Sequence, residues 1–157
     1  MPDTALARPR FPSPGALAEH VGSEIAVGEW YEITQDRIAR FADATDDRQW
    51  IHLDAARAAA ESPYGGTIAH GLLTLSLIVP MIYQAVRIEG LGMIVNYGFN
   101  KVRFPSAVPA GARVRGRIAV TAVEPVRGGV QVTWGVTVER EGGEKPAVVA
   151  EWVARLT

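Results

Sequence analysis

A chain of 157 residues is the length of a single domain with one core. Its formal net charge of −1 gives no support to a nucleic-acid or polyanion binder, and its balance of 48% apolar to 21% charged residues is that of an ordinary globular protein. It has no cysteine, which excludes disulfides, thiolate metal sites and a cysteine nucleophile and is compatible with a reducing, cytoplasmic setting.

The first residues, MPDTALARPRFPSPG, lack the apolar stretch of a secretory signal. Four prolines among the first fourteen residues predict an extended arm over residues 1–15, lying across one domain formed by residues 16–157. Ala16 to His20 reads as a short helical turn, and Gly22 to Ile33 as strand and turn. Thr34 can cap a helix whose first turn carries Asp36 and whose buried stripe is Ile38, Phe41 and Ala42. That helix should end near Thr45, before a polar loop from Asp46 to Leu53 interrupted by Trp50 and Ile51. Asp54 can cap a short alanine-rich helix, Ala55 to Glu61, and Ser62-Pro63-Tyr64-Gly65-Gly66 breaks the chain again.

Thr67 to about Val86 is the longest helical candidate, about 30 Å at roughly 1.5 Å per residue. His70, Pro80 and Gln84 interrupt it and Arg87 ends it, so it reads as a buried helix and no membrane span is expected. A helix apolar on nearly every side needs an apolar wrapping, and the second half supplies one. Val114, Ile118, Val120 and Ala122 alternate with polar residues. So do Val130, Val132, Trp134, Val136 and Val138, then Val148, Ala150, Trp152, Ala154 and Leu156. Period-two alternation predicts antiparallel strands with one covered face, turning at Gly128-Gly129 and at Glu141 to Glu144. With Met93 to Phe104 as a further strand, the second half is expected to be a four-strand meander. The fold class is α+β, a curved antiparallel sheet around a long central helix.

Histidine is scarce: only His20, His52 and His70. Asp47 precedes His52 by five residues in a polar loop, so carboxylate and imidazole can reach one water, a general acid/base device. Gly65-Gly66-Thr67-Ile68-Ala69-His70-Gly71 leads into the long helix, whose first N–H groups have no intrahelical partner and face any anion placed there. A thioester carbonyl gaining negative charge at Gly71 would be stabilised as in an oxyanion hole.

Phe41-Ala42-Asp43-Ala44-Thr45-Asp46-Asp47-Arg48-Gln49-Trp50-Ile51-His52 resembles the hydratase motif of the MaoC-like (R)-specific enoyl-CoA hydratases. That motif runs threonine or serine, glycine, aspartate, any residue, asparagine, proline, an aliphatic residue and histidine. Ile68-Ala69-His70-Gly71-Leu72-Leu73 resembles the start of the family's central helix, and Asn96-Tyr97-Gly98 and Val102-Arg103-Phe104-Pro105 its next strand. The Gln-Trp-Ile-His variant is similar to the nodulation-protein-N-like branch. The resemblance covers roughly Thr34 to Val114. It implies a hot-dog fold, a homodimer, and reversible hydration of trans-2-enoyl-CoA in fatty acid metabolism, with coenzyme A as part of the substrate and no cofactor. By motif position Asp47 and His52 are the catalytic pair and Gly71 the backbone oxyanion donor. Gln49, Trp50, Ala69, His70 and Arg103 are expected to touch substrate. Asp46 stands where the family has glycine, and Gln49 and Trp50 replace asparagine and proline. These departures bear on acyl length more than on reaction type.

Blander readings stand beside these. Asp47 could cap a turn and His52 pack on Trp50. His70 could simply bond backbone and hold the loop. Asp46, Asp47, His52 and Asp54 could ligate a metal, but without a spacing signature no metal is expected. Arg113, Arg115 and Arg117 are most simply a wet sheet face, or with Lys101 and Arg103 a grip on phosphates. Trp134 and Trp152 are expected in the core. Rival functions are a hot-dog thioesterase and a non-catalytic acyl-binding subunit of a heterodimer.

Overall fold

The valine-rich rows of the second half build one face of a six-stranded sheet, as their alternation requires. A computed structural model describes residues 8–157. In chain order the elements are β1 (Arg10–Phe11), a 3-10 helix (Pro14–His20), β2 (Ser23–Val27), β3 (Tyr31–Glu32), α1 (Gln35–Thr45), α2 (Trp50–Leu53) and α3 (Ala55–Glu61). There follow α4 (Gly71–Ser76), α5 (Ile78–Ala85), β4 (Arg87–Ile88), β5 (Ile94–Arg103), β6 (Arg113–Val126), β7 (Gly129–Arg140) and β8 (Val148–Leu156).

The sheet runs β2-β6-β7-β8-β5, with β3 also paired to β6. Val114, Ile118, Val120, Val132, Trp134, Val136, Val138, Val148, Ala150, Trp152, Ala154 and Leu156 are all buried on its inner face. On the outer face Arg113 pairs with Glu141, Arg115 with Glu139 and Arg117 with Glu24. The expected four-strand meander holds only for β6-β7-β8. β5 lies beyond β8 instead of beside β6. The cause is the segment joining β5 to β6. Pro105 and Pro109 keep it from turning tightly, and its backbone is spent on the approach to α4: Ala69 N–H donates to the carbonyl of Val108 (2.8 Å) and Ala110 N–H to that of Thr67 (3.0 Å).

The central helix is shorter than its apolar run. Thr67 to His70 are not helical, and α4 and α5 are separated at Leu77. Helical residues 71–85 span about 22 Å at roughly 1.5 Å each. Pro80 has no N–H for the carbonyl of Ser76 and its ring crowds that group, while the Ser76 hydroxyl donates to the carbonyl of Leu72 (2.7 Å). Ile78, Met81, Ile82 and Ala85 nevertheless lie fully inside the curl of the sheet, where β6 closes on Met81 at Gly116.

Residues 1–7 of the expected arm lie outside the described residues. From Arg8 onward the chain runs along the end of α5. Arg8 donates to the carbonyl of Tyr83 (2.7 Å), β1 pairs in parallel with β4, and Phe11 is buried in the core. The helical turn predicted at Ala16–His20 is the 3-10 helix, capped by Ser13, whose hydroxyl accepts from Ala16 N–H. No helix among the described residues is long and apolar enough to cross a membrane.

Candidate active site

The site begins where α1 ends. Thr34 caps α1, its hydroxyl accepting from Arg37 N–H (3.1 Å), and Ile38 and Ala42 anchor the helix in the core. The chain then leaves through Asp46 at φ 59°, the one non-glycine residue with positive φ among the described residues. This is the place where the motif has glycine, and aspartate is one of the few other residues that tolerate the left-handed region. Asp46→Val should therefore lower the unfolding free energy by about 1–2 kcal/mol, read from urea midpoints at unchanged m-value, because a β-branched side chain is strained there. The expected polar loop stops at Gln49, and Trp50–Leu53 form a single helical turn, α2. Half-buried Trp50 and Ile51 and buried His52 supply the packing that holds so short a turn, and Asp54 N–H closes it on the carbonyl of Trp50 (2.9 Å).

That turn carries His52 inward to 6% exposure, while Asp47 stays at the exposed rim. The Nδ1 of His52 lies 2.7 Å from the carbonyl of Ile68. A carbonyl only accepts, so Nδ1 carries the proton and Nε2 is left with its lone pair. The rings of His52 and His70 stack with centroids 3.8 Å apart, and Phe41 packs against His70 at 4.9 Å. His70, 2% exposed, donates from Nε2 to the main-chain carbonyl of Asp47 (2.9 Å), while its Nδ1 is buried without a partner. Burial holds the His52 pKa below the usual 6.5 and proximity to His70 adds to this, against the raising pull of the Ile68 carbonyl and the Asp47 charge. At neutral pH His52 is thus an uncharged acceptor beside a carboxylate.

One ligating atom each of Asp47, His52 and His70 lie within 4.8 Å of one another. The metal set considered from sequence, with Asp46 and Asp54, is not what the fold gathers. Asp54 instead caps α3, accepting from Arg57 N–H (2.9 Å). The group the fold does gather is Asp47 with the two imidazoles, whose rings stack at an interplanar angle of 26°. The arrangement suits a water or a substrate oxygen.

The remaining residues singled out from sequence surround this centre unevenly. Gly71 opens α4, whose N-cap His70 makes no side-chain capping bond, and a Cβ at Gly71 would meet the Phe104 ring at 3.0 Å. Gly71 and Ala69 line a cavity of about 160 Å³ with Tyr64, Thr74, Phe104 and Ala147. Gln49 sits exposed at the start of α2, and Trp50 is covered by the Arg57 guanidinium at 4.2 Å. Arg103 lies exposed at the end of β5 and bonds the carbonyl of Val102. Sequence reading passed over Gln35 and Thr67. Gln35 Nε2 donates to the carbonyl of His52 (2.7 Å), and the Thr67 hydroxyl donates to Gln35 Oε1 (2.6 Å). No periodicity marks such a bond, because its partners lie far apart in the chain.

This sheet, this interrupted central helix and an acid–imidazole pair at the helix's amide end define a hot-dog protein built for acyl thioester chemistry. The MaoC like domain family matches residues 17–142, and the chain belongs to that family. It is 47% identical over 146 residues to 3-hydroxyacyl-thioester dehydratase Z of Mycobacterium tuberculosis, covering 92% of this chain and 96% of that protein. It is 46% identical over 136 residues to nodulation protein N of Rhizobium meliloti, covering 85% of this chain and 84% of that one. Among solved structures, the unliganded R-hydratase PhaJ1 from Pseudomonas aeruginosa superposes with a TM-score of 0.71 at 27% identity, covering 87% of this chain and 81% of that one.

Proposed function

We propose that the protein is an (R)-specific enoyl-CoA hydratase, a hydro-lyase that adds water reversibly to trans-2-enoyl thioesters and, in reverse, dehydrates (R)-3-hydroxyacyl thioesters. The observation that carries this reading is the approach of the Asp47 carboxylate to a buried imidazole whose Nδ1 is already committed to the Ile68 carbonyl. An ionised carboxylate and the free Nε2 of a neutral imidazole are both acceptors. A water between them gives a hydrogen to each and turns its oxygen lone pair outward, toward C3 of a bound enoyl chain. As the C3–O bond forms, the C2–C3 π pair moves toward the carbonyl, His52 takes one water proton, and Asp47 steadies the resulting imidazolium. Gly71 N–H stabilises the enolate oxygen. A proton returned from the pair to C2 completes the addition. The (R) label comes from the relatives. The chemistry asks for no further group, since coenzyme A arrives as part of the substrate, and the cytoplasm is the compartment we assign to the enzyme. Gln49, Trp50, Ala69 and Arg103 are assigned to the walls around the thioester, whereas His70, expected there from sequence, is buried with its Nε2 on the carbonyl of Asp47.

The test follows enoyl absorbance after adding the protein to a short and a long trans-2-enoyl-CoA. Loss of absorbance without release of free thiol supports hydration. Thiol release with absorbance retained replaces it with hydrolysis, and binding without turnover replaces it with an acyl-binding subunit.

The partner we propose is a second copy. β5 has a strand neighbour on one side only, β8, and Met93, Val95, Tyr97, Phe99 and Phe104 stand exposed on and beside it. A ten-residue edge strand left open, with an exposed apolar row along it, invites pairing with another chain. Sedimentation velocity should report a dimer, and a fully active monomer would refute this assignment.

A further inference from the structure

The catalytic segment is held at both of its ends by side chains from outside it, each gripping a main-chain carbonyl. His70 Nε2–H donates to the carbonyl of Asp47 (2.9 Å), and Gln35 Nε2–H donates to the carbonyl of His52 (2.7 Å). The two gripped residues are the two that do the chemistry. Asp47, Arg48 and Gln49 are exposed, so the first half of the segment has little packing of its own. Both grips are themselves fixed. His70 lies between Phe41 and His52, and Gln35 has its amide oriented by the Thr67 hydroxyl (2.6 Å), which leaves its nitrogen to face His52. Thr67 and His70 in turn flank Ile68, whose carbonyl fixes the His52 ring. The bonds form a closed circuit from α1 through α2 to the approach of α4.

We propose that Gln35 and His70 act together as positioning residues, a two-point clamp that sets the Asp47 carboxylate and the His52 Nε2 at the spacing one water can bridge. Neither touches the reacting atoms. The clamp rests on the hydration reading above, so its test includes measurements independent of turnover. The variants are Gln35→Met, which keeps length but cannot bond, His70→Phe, which keeps a ring between Phe41 and His52 but loses the donor, and His70→Gln, which restores a donor.

With crotonyl-CoA, Gln35→Met and His70→Phe should each lower kcat by about tenfold to a hundredfold with KM held within about threefold, since a displacement on the order of 1 Å is enough for such losses. His70→Gln should recover most of the loss. In parallel, amide exchange across residues 47–52 should speed up in Gln35→Met and His70→Phe at little-changed unfolding midpoint, and nitrogen-15 spectra of labelled histidine should show His52 as the Nδ1–H tautomer and His70 as the Nε2–H tautomer in the wild type. Unchanged exchange in both variants, or the opposite tautomer at His70, overturns the clamp whether or not the protein hydrates enoyl thioesters. So does a His70→Gln variant as impaired as His70→Phe. A wild type inert on every enoyl thioester but showing the expected exchange and tautomers would overturn the reaction and leave the clamp standing.

Discussion

His52→Ala should lose at least about a hundredfold in kcat for crotonyl-CoA hydration, the lower end of what a well-placed acid/base group contributes. The variant removes the Nε2 acceptor assigned to the water and leaves the Ile68 carbonyl without its donor, a packing and bonding loss of about 1–3 kcal/mol. Circular dichroism therefore accompanies the kinetics, and an unfolded variant is replaced by His52→Gln. The wild-type pH profile carries the same assignment. His52 has to be unprotonated to accept, so kcat/KM is full above its pKa and falls as pH drops through it. Burial pushes that pKa down, with His70 adding to it, so the acid limb belongs below the ordinary 6.5. An acid limb at 7 or above, or near-normal turnover in a folded His52→Ala, would remove His52 from the mechanism.

Asp47→Asn should cost at least about as much, again on the order of a hundredfold or more in kcat. Asparagine has nearly the same shape, and Asp47 is exposed, so the fold has little to lose. The amide changes the chemistry in two ways. It cannot balance an imidazolium on His52, and its NH₂ can present a donor where the water needs an acceptor. Since His70 holds Asp47 by the main-chain carbonyl, the substitution leaves that bond in place. The unfolding midpoint should stay within about 0.5 kcal/mol of wild type, the usual range for a surface change. A folded Asp47→Asn enzyme that hydrates crotonyl-CoA at the wild-type rate would reduce Asp47 to a turn residue.

Local signals in the chain were read correctly where local physics decides. Thr34 and Asp54 cap the helices they precede because a short oxygen-bearing side chain before an apolar stripe has few better uses. The alternating valines of β6, β7 and β8 leave one consistent inner face. Difficulty came where distant groups compete. A long, mostly apolar run hid the division at Leu77, which turns on Pro80 and on a serine bonding its own helix. Nothing in the composition of β5 says which edge of the sheet it joins. That choice is made by the backbone of Val108 and Ala110 bonding the approach to α4. At the site, the pairing of Asp47 with His52 was visible as spacing and resemblance. The grip of Gln35 on His52, 17 positions away, was not, because a glutamine at the start of a helix looks like any solvated residue.

The row of Arg113, Arg115 and Arg117 on the outer sheet face has a consequence for how substrate arrives. Each guanidinium already faces a carboxylate, so that flank offers alternating sign instead of a positive field. A nucleotide-bearing thioester carries several negative charges, and a neutral flank neither draws it in nor repels it beyond a Debye length of about 8 Å in physiological salt. That flank therefore contributes little to the capture rate or to its dependence on ionic strength.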